Sequence, residues 1–248
     1  EGMIGLVTKQ PIGVVGLITP WNFPFIVLAE RLPFILAAGC TVVLKPSEMT
    51  STTSLIFADI LNEAGLPKGV YNVVTGSGPV VGEAMSNHLD IDMISFTGST
   101  AVGERVLEAS KSNLKKVGLE LGGKNPQVVF ADANLDDAVD GVAFGMCFNA
   151  GQCCVSGSRL IIEASIAEDF KAKLFEKLSK VKIGDPLDPD TQMGAIVTPQ
   201  HFRKILGYIE KGQSEGATLD VGGGSTSPSG GEFIVRTVFH GVTPARAS

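Results

Sequence analysis

The sequence predicts an α/β fold in which a parallel-sheet domain is followed by a second α/β domain. Short runs rich in β-branched residues alternate with segments of helical length, and this alternation is typical of βαβ units. The first run, residues 12–19 (IGVVGLIT), is almost continuously apolar, as expected of a strand that a parallel sheet buries on both faces. Of the 248 residues, 44% are hydrophobic and 19% are charged, which excludes a disordered chain.

The first half of the chain is a series of strand–helix–strand units. Strands are predicted over residues 12–19, 41–44, 71–74 and 93–96, with another hydrophobic strand at 119–121. Pro20 ends the first of them. Helices are predicted over residues 25–38 and 52–64, the second closed by Gly65, and from about residues 79 and 101. This order favours right-handed crossovers and ligand binding at the carboxyl ends of the strands.

A second α/β portion is expected from residue 123 onwards. Strands are predicted over residues 126–130 and 159–163, and helices over 135–148, 166–181 and 199–211. The helix at 166–181 carries apolar residues at the spacing of a buried face. The segment 222–231, rich in Gly and Ser, is predicted to be a loop.

Charge and cysteine content exclude several classes of protein. Twenty basic and 26 acidic residues give a net charge of −6, so a general binder of nucleic acid or of an anionic membrane is not expected. The apolar runs are shorter than the ~18 residues of a membrane span. Four cysteines do not suit a disulfide framework at this length, so a reducing, cytoplasmic setting is expected. No Cys/His spacing suits zinc, and no metal is expected.

A glycine-containing turn after the fourth strand is a candidate phosphate site. The run from Gly98 to Gly103 keeps the outer glycines of a G-x-G-x-x-G pattern but has Thr100 in the middle. Backbone N–H groups at the start of a helix bind anions, yet an ordinary strand-to-helix turn explains the run equally well. Residues 76–82 form a second, looser candidate.

Lys45 and Glu48, just after the second strand, are candidates for binding a ribose. A carboxylate there can accept hydrogen bonds from ribose hydroxyls and repel a 2′-phosphate. The alternative is a solvated helix start in which Ser47 or Thr50 is the cap and Glu48 interacts favourably with the helix dipole.

Four further residues could carry chemistry, each with a structural alternative. Cys153 and Cys154 follow a predicted helix; a thiol there is either a reactive nucleophile or a buried, inert side chain. Glu120 lies in the apolar context LEL, which would raise its pKa and suit a general base, unless it simply faces solvent. The amide of Asn22 could donate to an oxyanion, or serve only the turn.

The three histidines argue against a triad hydrolase. His88, His201 and His240 all fall away from the predicted carboxyl ends of strands, whereas a Ser or Cys hydrolase of the triad type needs a histidine base.

Five motifs, taken together and in order, resemble the NAD(P)-dependent aldehyde dehydrogenase family. They are residues 19–24 (TPWNFP), 44–48 (LKPSE), 96–100 (FTGST), 119–124 (LELGGK) and 148–154 (FNAGQCC). The resemblance extends from about Lys9 to about Pro244. The family pattern Gly-Gln-x-Cys selects Cys154 rather than Cys153 as the nucleophile.

The resemblance implies a Rossmann-like cofactor domain over residues 1–122 and a catalytic domain over 123–248. Residues 1–11 would be the end of an oligomerisation segment, and the full-length enzyme would be a homo-oligomer. Family members are substantially longer, so the chain is expected to lack an N-terminal and a C-terminal part.

The resemblance also implies an activity, oxidation of an aldehyde to a carboxylic acid with NAD rather than NADP. Cys154 would be the nucleophile, Asn22 an oxyanion donor and Glu120 the general base. The implied cofactor-binding residues are Ile18, Trp21, Lys45, Ser47, Glu48, Gly78, Pro79, Phe96, Thr97, Gly98, Ser99, Val102, Leu121 and Gly122. A catalytically silent family member and a Cys-dependent esterase or acyl-transfer enzyme are the alternatives.

Overall fold

A computed structural model describes residues 2–228 and 230–242, which divide after Gly122 into two compact units. The first unit contains a five-stranded, all-parallel sheet with the strand order β3-β2-β1-β4-β5. Its strands are β1 (Val14–Ile18), β2 (Thr41–Lys45), β3 (Tyr71–Val73), β4 (Met93–Thr97) and β5 (Lys116–Glu120). The α/β class with a parallel sheet is therefore confirmed.

Helices connect these strands, as the crossovers of a parallel sheet require. They are α1 (Pro24–Ala37), α2 (Thr52–Glu63), α3 (Glu83–Asn87) and α4 (Thr100–Ala109), with a π-helical turn over Gly78–Gly82. Two glycines in the left-handed region follow helix ends: Gly39 has φ +76° after α1, and Gly65 has φ +85° after α2. The order of strands changes direction between β1 and β4, and ligands of such sheets bind at this switch point.

The central strand β1 is buried on both faces because successive side chains of a strand point in opposite directions. Leu17 packs with Leu28, Val42 and Leu44 on one face of the sheet. Ile18 packs on the other face in a separate cluster, which includes residues of β4, α3 and α4. The apolar run that predicts this strand thus reflects two hydrophobic clusters.

The second unit begins with a βαβ unit. Its elements are β6 (Asn125–Val129), α5 (Leu135–Cys147), β7 (Gly157–Ile162), α6 (Ala167–Ser179), α7 (Pro199–Ser214), β8 (Thr218–Val221), β9 (Ser225–Thr226), β10 (Phe233–Ile234) and β11 (Val238–His240). β6 and β7 are parallel, while β8 pairs with β11 and β9 with β10 in antiparallel fashion. The N-terminal cap of α5 is formed by a neighbouring residue: the Asn134 side chain accepts hydrogen bonds from the N–H groups of Asp136 and Asp137.

The prediction of a loop over residues 222–231 is wrong in part. Strand β9 lies within this segment. It pairs with β10, which follows the segment and whose Phe233 and Ile234 are buried. Strands β8 and β11 were also not predicted. These strands have two to four residues each and gain their stability from burial of a few apolar side chains, so periodicity gives no signal. Residue 229 of this segment, residue 1 of the predicted oligomerisation segment and residues 243–248 lie outside the described residues.

Phe170 in α6 is one of two phenylalanines that are the largest fully buried side chains of the second unit. It is fully buried in a cluster with Val139, Val142, Leu174 and Leu178. Helix α5 therefore packs on α6 through this ring.

Replacing Phe170 by Ala should destabilise the second unit strongly. The substitution leaves a cavity where the ring was fully buried, and such changes cost about 3–5 kcal/mol. Urea unfolding followed by circular dichroism measures the loss. The control is Gln213→Ala on the exposed face of α7, which should change the free energy of unfolding by less than about 0.5 kcal/mol. Equal effects of the two substitutions would contradict the packing described.

In residues 2–228 and 230–242, none of the helices is both long and apolar enough to cross a membrane.

Candidate active site

At the carboxyl end of β2, Lys45 and Glu48 form one hydrogen-bonded group. The Lys45 side chain is 3% exposed, and its Nζ donates to the carbonyl oxygen of Pro46 (3.1 Å) and to Oε2 of Glu48 (3.2 Å). The backbone N–H of Gly78, which follows β3, also interacts with the Glu48 carboxylate. The structure thus brings together three residues that the sequence selects for cofactor binding.

Hydrogen bonds keep Glu48 ionised. Its own backbone N–H contributes most to lowering the pKa of this carboxyl, and Lys45 and the Gly78 N–H lower it further against an opposing effect of burial. Half of the side chain remains exposed. A charged carboxylate that is partly accessible can accept hydrogen bonds from hydroxyls and would repel a phosphate.

The alternative in which Ser47 or Thr50 caps the following helix is wrong. Helix α2 begins at Thr52, and Oγ of the half-buried Ser47 instead accepts from the N–H of Met49 at 3.3 Å. The short segment between β2 and α2 is a turn in its own right.

A small apolar slot of about 130 Å³ lies beside this group, between the carboxyl ends of the central strands and helices α3 and α4. Five of the sequence-selected residues line it: Ile18, Gly78, Pro79, Phe96 and Val102. Glu83, Ser86 and Arg105 add polar atoms. Typical ligand pockets measure about 300–1,000 Å³, so this slot suits one ring system rather than a whole dinucleotide. A larger surface groove of about 520 Å³ shares Pro79, Glu83 and Arg105 with the slot and is lined mainly by charged residues.

The glycines of the Gly98–Gly103 turn serve close packing. A Cβ on Gly98 would lie 2.6 Å from Cζ of Phe96, and one on Gly103 would lie 2.5 Å from a methyl group of Leu121. Thr97 ends β4, and Ser99 precedes α4, which runs for ten residues. The start of α4 is exposed at the carboxyl edge of the sheet, where a phosphate could reach it. The two glycines also have a packing role, which the phosphate interpretation does not include.

Glu120 is not in the apolar setting that its sequence context suggests. It is the last residue of β5, its side chain is 63% exposed, and the Arg31 guanidinium of α1 lies 3.5 Å from its Oε1. Alternation along a five-residue strand turns Leu119 inward and Glu120 outward. Leu121 packs against Gly103, and Gly122 is the last residue of the first unit.

Trp21 and Asn22 are half-buried in the turn between β1 and α1. This turn also lies at the carboxyl edge of the sheet. Asn22 and Glu120 thus belong to the first unit, whereas Cys154 belongs to the second.

In the second unit, a strained turn precedes the cysteine pair. After α5 ends at Cys147, Asn149, Ala150 and Gly151 have φ values of 50°, 55° and 72°. A non-glycine residue in the left-handed region costs about 1–3 kcal/mol, and such residues cluster at functional sites. Ala150 packs against two hydrophobic clusters, which stabilises it in this conformation.

Cys154 is exposed and Cys153 is half-buried, while all four cysteines of the chain are free. Asn125 Nδ2 donates to the carbonyl oxygen of Cys154 at 2.7 Å and so holds its backbone. Burial, followed by the neighbouring Cys153, raises the pKa of the Cys154 thiol, although its own N–H and that of Val155 lower it. At neutral pH the side chain is therefore largely a thiol, and a base is needed to make it a nucleophile.

Residues 1–247 match the aldehyde dehydrogenase family. The chain belongs to the aldehyde dehydrogenase family. It is 46% identical to aldehyde dehydrogenase family 2 member C4 of Arabidopsis thaliana over 98% of this chain and 48% of that protein. Among solved structures, it is similar to the NAD-dependent aldehyde dehydrogenase of Sinorhizobium meliloti, with a TM-score of 0.94 and 49% identity over 96% of this chain and 47% of that one.

A second similar structure is betaine aldehyde dehydrogenase from Staphylococcus aureus in complex with NAD⁺. Its TM-score is 0.92, and it is 38% identical over 95% of this chain and 47% of that one. The chain spans about half the length of the curated relatives it matches. The resemblance in the sequence is thus confirmed at the level of family and fold.

Several residues that contact the sequence-selected residues were missed from the sequence. Arg31 beside Glu120 and Arg105 beside the slot are charged helix residues, which usually face solvent. Gln152 lies within the motif 148–154 and Asn125 directly follows the motif 119–124, and these positions are the signal that could have identified them. Among the described residues, no three His, Cys, Asp or Glu side chains are arranged to hold a metal ion.

Proposed function

We propose that this chain carries the cofactor-binding edge and the nucleophile of an NAD-dependent aldehyde dehydrogenase. The observation that carries the proposal is the exposed Cys154, three residues after a strained, hydrogen-bonded turn, in a chain that belongs to this family. A strained turn close to an exposed cysteine is typical of a reactive site.

The slot and the Lys45–Glu48 group support binding of an adenine nucleotide. Pro79 and Val102 would contact the flat base in the slot, and the Glu48 carboxylate would accept from ribose hydroxyls. Ser99 at the start of α4 and Trp21 after β1 would contact the phosphates. Ser47, Phe96, Thr97, Gly98, Leu121 and Gly122 would complete the cofactor site. The NAD⁺-complexed betaine aldehyde dehydrogenase of similar fold supports this choice of cofactor.

The reaction would proceed through a covalent bond between the substrate and the sulfur of Cys154. A base takes the Cys154 proton, the thiolate attacks the aldehyde carbonyl, and the oxyanion accepts hydrogen bonds from the Asn22 amide and the Cys154 N–H. When bound, NAD supplies the acceptor for the hydride that leaves the carbon. Glu120 then removes a proton from water, which adds to the resulting thioester, and carboxylic acid and free thiol are released.

The environment of Glu120 bears on its proposed role. The Arg31 guanidinium lies 3.5 Å from Oε1 of Glu120 and so contacts one oxygen of the proposed base. The exposure of the Glu120 side chain leaves water accessible to it.

We also propose that the whole protein is a cytoplasmic homo-oligomer. The free cysteines support a reducing compartment. Residues 2–12 expose Met3, Ile4, Leu6 and Val7 almost completely, and apolar side chains so exposed are typical of an interface.

The direct test of the proposed activity is NADH formation by this chain with a panel of aldehydes. Aldehyde-dependent NADH absorbance supports the proposal. Ester cleavage without NADH would favour a Cys-dependent esterase, and neither activity would favour a catalytically silent family member.

The choice between NAD and NADP should depend on the charge of Glu48. In Glu48→Gln, the preference for NAD over NADP should fall by about tenfold, or roughly 1.4 kcal/mol, because the repulsion of a 2′-phosphate is lost. Trp21 is the only tryptophan of the chain, so quenching of its fluorescence measures binding of either nucleotide. Because the Glu48 pKa is lowered, the preference of the unmodified chain should persist as the pH falls through the usual carboxyl range. An unchanged ratio of the two dissociation constants in Glu48→Gln would contradict this role.

A further inference from the structure

Gln152 lies two residues before Cys154, and its side chain makes hydrogen bonds both to the strained turn and to a distant segment of the chain. Its Nε2 donates to the carbonyl oxygens of Asn149 (3.2 Å) and Ala195 (3.4 Å), and its Oε1 accepts from the N–H of Val197 (3.0 Å). One half-buried side chain thus joins the turn to a segment more than forty residues away in the sequence.

The turn itself is held by a reciprocal pair of bonds. The backbone N–H of Gln152 donates to the Asn149 carbonyl oxygen at 3.0 Å, and Asn149 Nδ2 donates to the Gln152 carbonyl oxygen at 3.2 Å. The Asn149 carbonyl therefore receives both the backbone and the side chain of Gln152. These bonds fix the left-handed conformation of residues 149–151, which the chain would not adopt without support.

On the other side of Cys154, the backbone is fixed independently. Asn125 binds the Cys154 carbonyl oxygen, Ser156 N–H donates to the Cys153 carbonyl oxygen at 3.1 Å, and Ser156 Oγ donates to Gly145 at 2.8 Å. Hydrogen bonds thus hold the backbone on both sides of Cys154, and Gln152 supplies those on the N-terminal side.

We propose that Gln152 is a positioning residue for the nucleophile: it latches the turn 149–151 to the segment 195–197 and thereby fixes the direction of the Cys154 side chain. This inference deepens the proposed function and rests on it for its catalytic meaning. Gln152 acts through the backbone and need not touch the reacting atoms.

The latch has a consequence for the thiol. The N–H groups of Cys154 and Val155 lower the pKa of the thiol, and they do so only while the backbone keeps them directed at Sγ. Loss of the latch should weaken both interactions and leave the effect of burial, which raises the pKa of the thiol, less opposed. The rate of alkylation, which depends on the thiolate, should then fall at a given pH.

The experiment uses the whole chain with Cys153→Ala, so that Cys154 is the accessible thiol, since Cys40 and Cys147 are buried. Gln152→Met keeps the length of the side chain and removes its bonds to Asn149, Ala195 and Val197. Alkylation by iodoacetamide is followed as a function of pH, with mass spectrometry to confirm the labelled residue. We expect a higher thiol pKa and a rate at neutral pH lower by about fivefold or more.

Gln192→Met is the matched control. The side chain of Gln192 also makes a hydrogen bond within the second unit, accepting from the Lys182 N–H at 3.0 Å, but Gln192 lies outside the turn 149–151. Its alkylation profile should equal that of the parent. Gln152→Asn is one methylene shorter and cannot span to both Ala195 and Val197, so its profile should fall between those of the parent and Gln152→Met; it replaces Gln152→Met if that variant does not fold.

An unchanged pH profile in a folded Gln152 variant, or an equal shift in Gln192→Met, would overturn the proposal. The alkylation readout does not depend on dehydrogenase activity, so failure of the latch and failure of the proposed function are distinguishable. Where the chain forms NADH, Gln152→Met should lower kcat while the dissociation constant of NAD, measured by Trp21 fluorescence, stays the same.

Discussion

Cys154→Ala should abolish aldehyde-dependent NADH formation, with a loss on the order of 10³-fold or more, because no thiohemiacetal can form without the nucleophile. Cys153→Ala should retain most of the rate. The two cysteines are neighbours, yet Cys154 is exposed and Cys153 is half-buried. Initial rates of NADH absorbance on the two variants and the parent chain measure the contrast.

The control for this comparison is nucleotide binding. Quenching of Trp21 fluorescence by NAD should be the same in both variants, because the proposed dinucleotide site lies in the first unit and neither cysteine lines the slot. Equal losses of rate in Cys153→Ala and Cys154→Ala would show that the assignment of the nucleophile is wrong.

Glu120→Gln should lower steady-state turnover by about 10²–10⁴-fold, because the amide cannot accept a proton from water. The first turnover should be less affected than later ones if Glu120 acts at thioester hydrolysis, so rapid-mixing experiments should show a burst of NADH followed by a slow phase. Glu120→Asp keeps the charge and should recover part of the steady rate.

The control for Glu120 is its neighbour in the ion pair. Arg31→Met removes the guanidinium 3.5 Å from the carboxylate while leaving the base itself in place. A smaller loss in Arg31→Met than in Glu120→Gln is expected. Steady-state turnover in Glu120→Gln equal to that of the parent would exclude Glu120 as the base.

Much of the first unit could be predicted because its signals are local. The run at residues 12–19 contains β1, since both faces of this central strand are covered and no polar residue interrupts it. The motif around Lys45 and Glu48 could likewise be selected from its position after a strand. The bonds that join Glu48 to Gly78 follow from strand order, which places the ends of β2 and β3 side by side.

What could not be predicted depends on contacts distant in sequence. The apolar neighbours of Glu120 suggested a hydrophobic pocket, but the side of the strand on which it lies and its partner Arg31 are set by tertiary structure. Ala150 gives no local indication of a left-handed conformation, because Ala rarely adopts it; packing and the Gln152 bonds impose it. Strands β8 to β11 are too short for a periodic pattern.

The most direct test of the account is peptide mass spectrometry of Glu120→Gln after incubation with NAD and an aldehyde. If Cys154 is the nucleophile and Glu120 promotes hydrolysis, the acyl group should accumulate as a thioester on the peptide that contains Cys154, only when NAD is present. An acyl group on Cys153, or its absence from both cysteines while NADH is formed, would contradict the mechanism.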